Sequence, residues 1–120
     1  MTTEKDAYDK RTIVSLVEPV TIKHDGKSDQ LKARIDTGAT KSSIDIALAS
    51  KLKLGPVVAS KVIKSANGAK LRPMVEVTVE LHDKELTETF TLADRSHMKY
   101  KILIGQNILK RGFLIDPNKE

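Results

Sequence analysis

The sequence predicts a mainly all-β fold, a small closed barrel carrying one or two short helices, on three observations. Short apolar runs rich in Val, Ile and Leu recur along the chain, separated by clusters of turn-forming residues. Only two brief stretches have helical spacing. Aromatic residues make up 3% of the 120 residues against 39% apolar, so the core must be built from aliphatic and β-branched side chains, which suit strands.

A chain of 120 residues is the size of one ordinary domain, and no composition shift divides it. Residues 1–10 lack apolar periodicity and are expected to form a flexible arm, with residues 11–120 as a single domain. Thr12 to Ile22 then reads as strand, with Pro19 implying an edge or a bend. His24 to Gln30 has the composition of a turn, and Leu31 to Ile35 alternates apolar and polar. Ser42 to Ile46 fits a short strand, and Ala47 to Leu54 a short helix ended by Gly55-Pro56. Val57 to Ile63 and Leu71 to Leu81 flank Asn67-Gly68, a strong hairpin signal. Val75, Val77, Val79 and Leu81 alternate with Glu76, Thr78 and Glu80, as one half-buried strand requires. His82 to Lys84 turns the chain into another strand, Glu85 to Leu92, and Ala93 to Tyr100 is a polar loop. The final segment reads as a buried strand, a break at Gly105, a short helix from Gln106 to about Lys110, and a last strand at Phe113 to Ile115.

Composition removes several function classes. The absence of cysteine excludes thiol catalysis, disulfides and cysteine metal sites. No apolar run is long enough to cross a bilayer, and the polar N-terminal residues do not resemble a leader, so a soluble cytoplasmic protein without membrane partners is expected. The net charge of +5 comes from basic residues dispersed along the chain. A solvated surface is the plain account, and attraction of an acidic partner or substrate the sharper one. Nucleic acid is not expected as a partner, because Tyr8, Phe90, Tyr100 and Phe113 form no cluster for base stacking.

Asp36-Thr37-Gly38 directly follows an apolar strand. A tight turn explains it, since all three residues favour turns. Half of a catalytic site explains it as well. Two aspartates that share one proton titrate as a unit, one remaining an acid while the other polarises water. Thr37 can lock such a turn and Gly38 permits close backbone approach. One chain supplies one such aspartate, so a dyad would need a two-fold homodimer with Asp36 of each copy at the axis.

With the hairpin that follows and the Ile-Leu-Ile-Gly strand near the end, the order of motifs resembles a retropepsin, a single-domain acid protease barrel. "ARIDTGA", "FTLADRSHMKYKILIG" and "FLIDP" are similar to a bacterial and archaeal family labelled ATP-dependent zinc protease, whose members occur beside ligases that add glutamates to a ribosomal protein. The resemblance implies Asp36 as the catalytic carboxylate, Thr37 as a grip between two loops, and Gly38 against the substrate strand. Ala39 and Thr40 would border the substrate pocket, and the hairpin around Ser65 to Lys70 would be a flap placing Ala66, Asn67 and Gly68 over a peptide. Gly105 would pack beneath the loop. Thr40 and Gln106 depart from basic residues common in the family, the second bearing on dimer strength. Asp94 and Arg95 match a family motif. An ion pair or turn cap accounts for them, and so does a substrate-binding guanidinium holding a carboxylate in bidentate fashion.

Metal ligands are not expected: His24, His82 and His97 sit in three separate segments without zinc-ligand spacing, and no Gly-rich phosphate loop suggests ATP. No cofactor is expected. These observations lead to a homodimeric aspartic endopeptidase acting on a peptide or protein substrate, with acidic or glutamate-rich peptides preferred. The alternatives are a catalytically silent peptide-binding or scaffold dimer of the same fold, and a zinc peptidase.

Overall fold

The structure, a computed structural model, describes residues 10–119. The arm expected over residues 1–10 lies outside them except for Lys10. Eleven elements follow in order: β1 (Thr12–Val14), β2 (Val17–His24), β3 (Lys27–Ile35), β4 (Ser42–Asp45), α1 (Ile46–Lys51), β5 (Val57–Ser65), β6 (Gly68–Leu81), β7 (Lys84–Ala93), β8 (Ile102–Ile104), α2 (Gln106–Leu109) and β9 (Phe113–Ile115).

The strands β2, β3, β8, β4, β7 and β6 pair in that order, and β6 pairs again with β2, closing a mostly β barrel with two short helices. Strand β5 hangs from β6 alone, and β1 pairs in parallel with β9 outside the ring. Inside the barrel, Val20, Ile22, Ile44, Val79, Leu81 and Ile102 are all buried. Phe90 is the one fully buried ring among the described residues, so aliphatic packing carries the core as the composition requires.

Local chemistry refines three expectations. The run from Thr12 to Ile22 breaks at Ser15, whose amide donates to the Glu18 carboxylate at 2.7 Å and whose hydroxyl donates to the Val17 carbonyl at 2.6 Å. These side-chain bonds compete with ladder pairing. Pro19 pairs with Lys32 of β3, while the β6 pairing starts only at Val20, so proline occupies a local edge where no amide is needed. The turn expected over His24 to Gln30 shrinks to Asp25-Gly26, at φ of 46° and 75°, a two-residue turn whose twist suits a hairpin.

The second hairpin turns one residue earlier than Asn67-Gly68: Ser65 pairs with Gly68, leaving Ala66-Asn67 as the tip. Helix α1 starts one residue before the expected Ala47, because the Asp45 carboxylate accepts the Leu48 amide and caps it. No helix among the described residues is long and apolar enough to cross a membrane.

Candidate active site

Strand β3 delivers Asp36 to the surface. Ala33 and Ile35 point into the core, so by the two-residue period Arg34 and Asp36 share the other side. The Asp36 amide donates to the Ile104 carbonyl at 2.9 Å, and the Ile35 amide to the Leu16 carbonyl at 2.9 Å, which ties the loop base to β8 and to the chain entering β2. Within the loop, the Gly38 amide donates to Asp36 Oδ1 at 2.9 Å. That bond orients the carboxylate.

The start of α2 supports the loop from beneath. The Gln106 amide donates to the Ala39 carbonyl at 2.8 Å and the Asn107 amide to the Thr40 carbonyl at 3.2 Å. A Cβ on Gly105 would lie 2.5 Å from the Lys41 carbonyl oxygen and 2.9 Å from that of Ala39, so only glycine permits this approach. Gln106 Nε2 also donates to the Thr37 carbonyl at 2.7 Å. Asn107 joins three segments: its Oδ1 accepts the Ser42 amide at 3.0 Å and the Ser42 hydroxyl at 2.8 Å, while its Nδ2 donates to the Thr89 carbonyl. The Gly105 amide in turn donates to Ser42 Oγ at 3.0 Å.

A second loop, Asp94 to Lys101, faces Asp36. The Asp45 carboxylate, 5% exposed, accepts the Arg95 amide at 2.8 Å through Oδ1 while Oδ2 caps α1. Lys101 Nζ donates to the carbonyls of Arg95, Ser96 and Met98 at 3.0, 2.7 and 3.2 Å, so the loop is wound around one ammonium. The Ser96 hydroxyl and amide bonds hold the Asp94 carboxyl below its ordinary value. Arg95 Nε donates to the Tyr100 carbonyl at 3.0 Å, which fixes the guanidinium plane and leaves both Nη groups without a partner among the described residues. Burial lowers the Arg95 pKa, with Asp45 and Asp36 opposing the shift and Arg34 adding to it.

The two loops enclose a cleft of about 340 Å³ lined by Arg34, Asp36, Arg95, Met98, Lys99, Tyr100 and Leu103. Asp36 and Arg95, both singled out in the sequence, thus meet in one cleft. Thr37, Gly38 and Thr40 are exposed on the loop and Ala39 is half-buried beside them. Ala66, Asn67 and Gly68 are exposed at the β5–β6 tip and do not line this cleft. Sequence reasoning missed Arg34, which the period of β3 would have placed beside Asp36. It also missed Asp45, Ser42 and Asn107, whose signal is a polar residue among buried apolar neighbours.

Donors for a metal do not converge. Among the described residues no three His, Asp or Glu side chains group together. His24 pairs with Asp29 at 2.8 Å and His82 with Glu18 at 3.2 Å, two donors in each place, fewer than a catalytic zinc needs.

A model of the RimB-like family, described as retropepsin-like aspartic endopeptidase RimB, matches residues 47–120. No curated protein matches the chain. Among solved structures, a protein of unknown function from Legionella pneumophila is 20% identical at a TM-score of 0.64, covering 90% of this chain and 95% of its own. EIAV protease complexed with the inhibitor HBY-793 is 22% identical at 0.60, covering 92% of this chain and 93% of its own. A retropepsin-like aspartic protease from Rickettsia conorii is 21% identical at 0.56, covering 83% and 82%. At such identities the likeness is one of fold.

Proposed function

The chain belongs to the RimB-like family, and from that premise we propose that it is an aspartic endopeptidase working as a homodimer. The observation that carries this reading is the setting of Asp36: one carboxylate, oriented by the Gly38 amide, on an exposed loop that opens into a cation-lined cleft.

In a two-fold pair, the Asp36 carboxylates of two copies would share one proton. The ionised member takes a proton from water as the water oxygen attacks the peptide carbonyl carbon, and the protonated member gives its proton to the carbonyl oxygen. The tetrahedral intermediate collapses as the C–N bond breaks, and the amine leaves with a proton returned from the dyad. The Thr37 hydroxyl, which has no hydrogen bond among the described residues, is free to grip the facing loop. An extended peptide would lie under the β5–β6 hairpins, whose tips carry Ala66, Asn67 and Gly68, and against Ala39 and Thr40. The Nη groups of Arg95 favour a substrate carboxylate, so acidic or glutamate-rich peptides are the preferred substrates.

The test is mass spectrometry of a mixed peptide library, including glutamate-rich tails, incubated with the wild type and with Asp36→Asn. Cleavage that disappears in the variant and survives a chelator supports the proposal. The rival reading is a catalytically silent peptide-binding dimer of the same fold. A folded dimer that cuts nothing would select it.

A further inference from the structure

The β5–β6 hairpin has two unlike faces. Its register sets Val62 opposite Leu71 and Lys64 opposite Ala69 on one face, and Lys61 opposite Arg72 and Ile63 opposite Lys70 on the other. Val62 and Leu71 are 53% and 68% exposed. The charged face places two cations directly across from each other with a third one step along, and like charges in that position destabilise a hairpin. No Asp or Glu occurs between Val57 and Val75 to relieve them, and Lys61, Lys70 and Arg72 make no ion pair among the described residues. Lys70 and Arg72 also border a groove of about 230 Å³ against Ile46 and Leu92. The one carboxylate bordering that groove, Asp94, accepts two bonds from Ser96 within its own loop.

Strand β5 pairs only with β6, so its other edge offers main-chain amides and carbonyls. We infer that this hairpin is a docking surface for an extended acidic polypeptide segment, which adds to the β5 edge while its carboxylates neutralise Lys61, Lys70 and Arg72. Free strand edges take extended chains in this way. Nucleic acid fits less well, because residues 57–81 contain no aromatic side chain on which a base could stack. The surface is separate from the Asp36 cleft and does not depend on Asp36 being catalytic.

The test uses the full chain with Asp36→Asn, so that nothing is cut. Binding of a labelled peptide of alternating acidic residues and serine is followed by fluorescence anisotropy at low and moderate salt. The triple variant Lys61→Ser, Lys70→Ser, Arg72→Ser should lose about tenfold or more in affinity, since three exposed pairs are removed. It should melt no lower than its parent, because a repulsion has been relieved. Hydrogen exchange should show β5 amides protected when peptide is added, and that protection should persist in Arg34→Ser with Arg95→Ser, whose side chains line the Asp36 cleft and not the β5 edge. Equal affinity in the triple variant overturns the inference. So does loss of the β5 protection in the Arg34 and Arg95 variant, or tighter triple-sensitive binding of single-stranded RNA or phosphatidylserine vesicles than of the peptide. Because the measurement is of binding, failure of Asp36 to cleave anything leaves its outcome unaffected.

Discussion

Gln106 reaches back across the barrel mouth and donates a 2.7 Å hydrogen bond to the carbonyl of Thr37, so the residue after the buried glycine holds the residue after the aspartate. Both are exposed or half-exposed, and the bond restrains the Asp36 loop without contributing to the core.

Replacing Gln106 with Ala is therefore expected to lower turnover about three- to tenfold with KM nearly unchanged, which matches the net worth of one neutral hydrogen bond. Thermal melting should shift little. Steady-state kinetics beside a melting curve checks this, and a fall in melting temperature with normal turnover would contradict it.

Gly105→Ala forces a methyl against the Lys41 and Ala39 carbonyls, which are main-chain atoms and give way only if the loop moves. The expected cost is about 1–3 kcal/mol, as for other overpacked sites. Chemical denaturation measures it, and activity should fall with the displaced loop.

Asn107→Leu removes the acceptor of the Ser42 amide and hydroxyl and the donor to the Thr89 carbonyl. Ser42 is wholly buried, so its groups lose their partners without gaining water. A destabilisation of about 3 kcal/mol is expected. A value below that of Gly105→Ala would show that the loop tolerates the loss.

Arg95→Gln should raise KM for peptides with an acidic residue beside the cut about tenfold, while neutral peptides change less than about twofold, because a bidentate pair is lost only in the first case. Equal effects on both would assign Arg95 to the loop's architecture alone.

Burial raises the Glu18 carboxyl, but the Ser15 amide, the His82 ring and Lys119 together bring it below its ordinary value. With the folded pKa depressed, the unfolded chain binds more protons as the pH drops through the ordinary carboxylate range, so this stability is fully present above that range and is lost as pH falls through the folded pKa. Glu18→Gln should melt lower at neutral pH and show a shallower decline between neutral pH and the acid limb. Parallel decline in both proteins would exclude Glu18 as a source.

The barrel was legible because its signals are local. Alternation in β6, the Gly105 break and the short helix after it all depend on residues close in sequence. The Asp36 loop was legible as a motif, yet its supports were not. Asn107 meets Ser42 across 65 positions, and Asp45 meets Arg95 across 50, and no periodicity reports such partners. The early turn at Ala66-Asn67 and the break at Ser15 show the other limit: side-chain bonds and strand register override the tendency of a dipeptide.

Strand β8 inserts between β3 and β4, and the helix after it underpins the Asp36 loop. During synthesis, everything the loop rests on therefore emerges roughly seventy residues after the aspartate itself. A nascent chain that has displayed Asp36 still lacks Ile104, Gly105 and Asn107, so the Asp36 loop gains its supports only when translation of the barrel is nearly finished. The topology makes this loop one of the last parts of the barrel to be held in place.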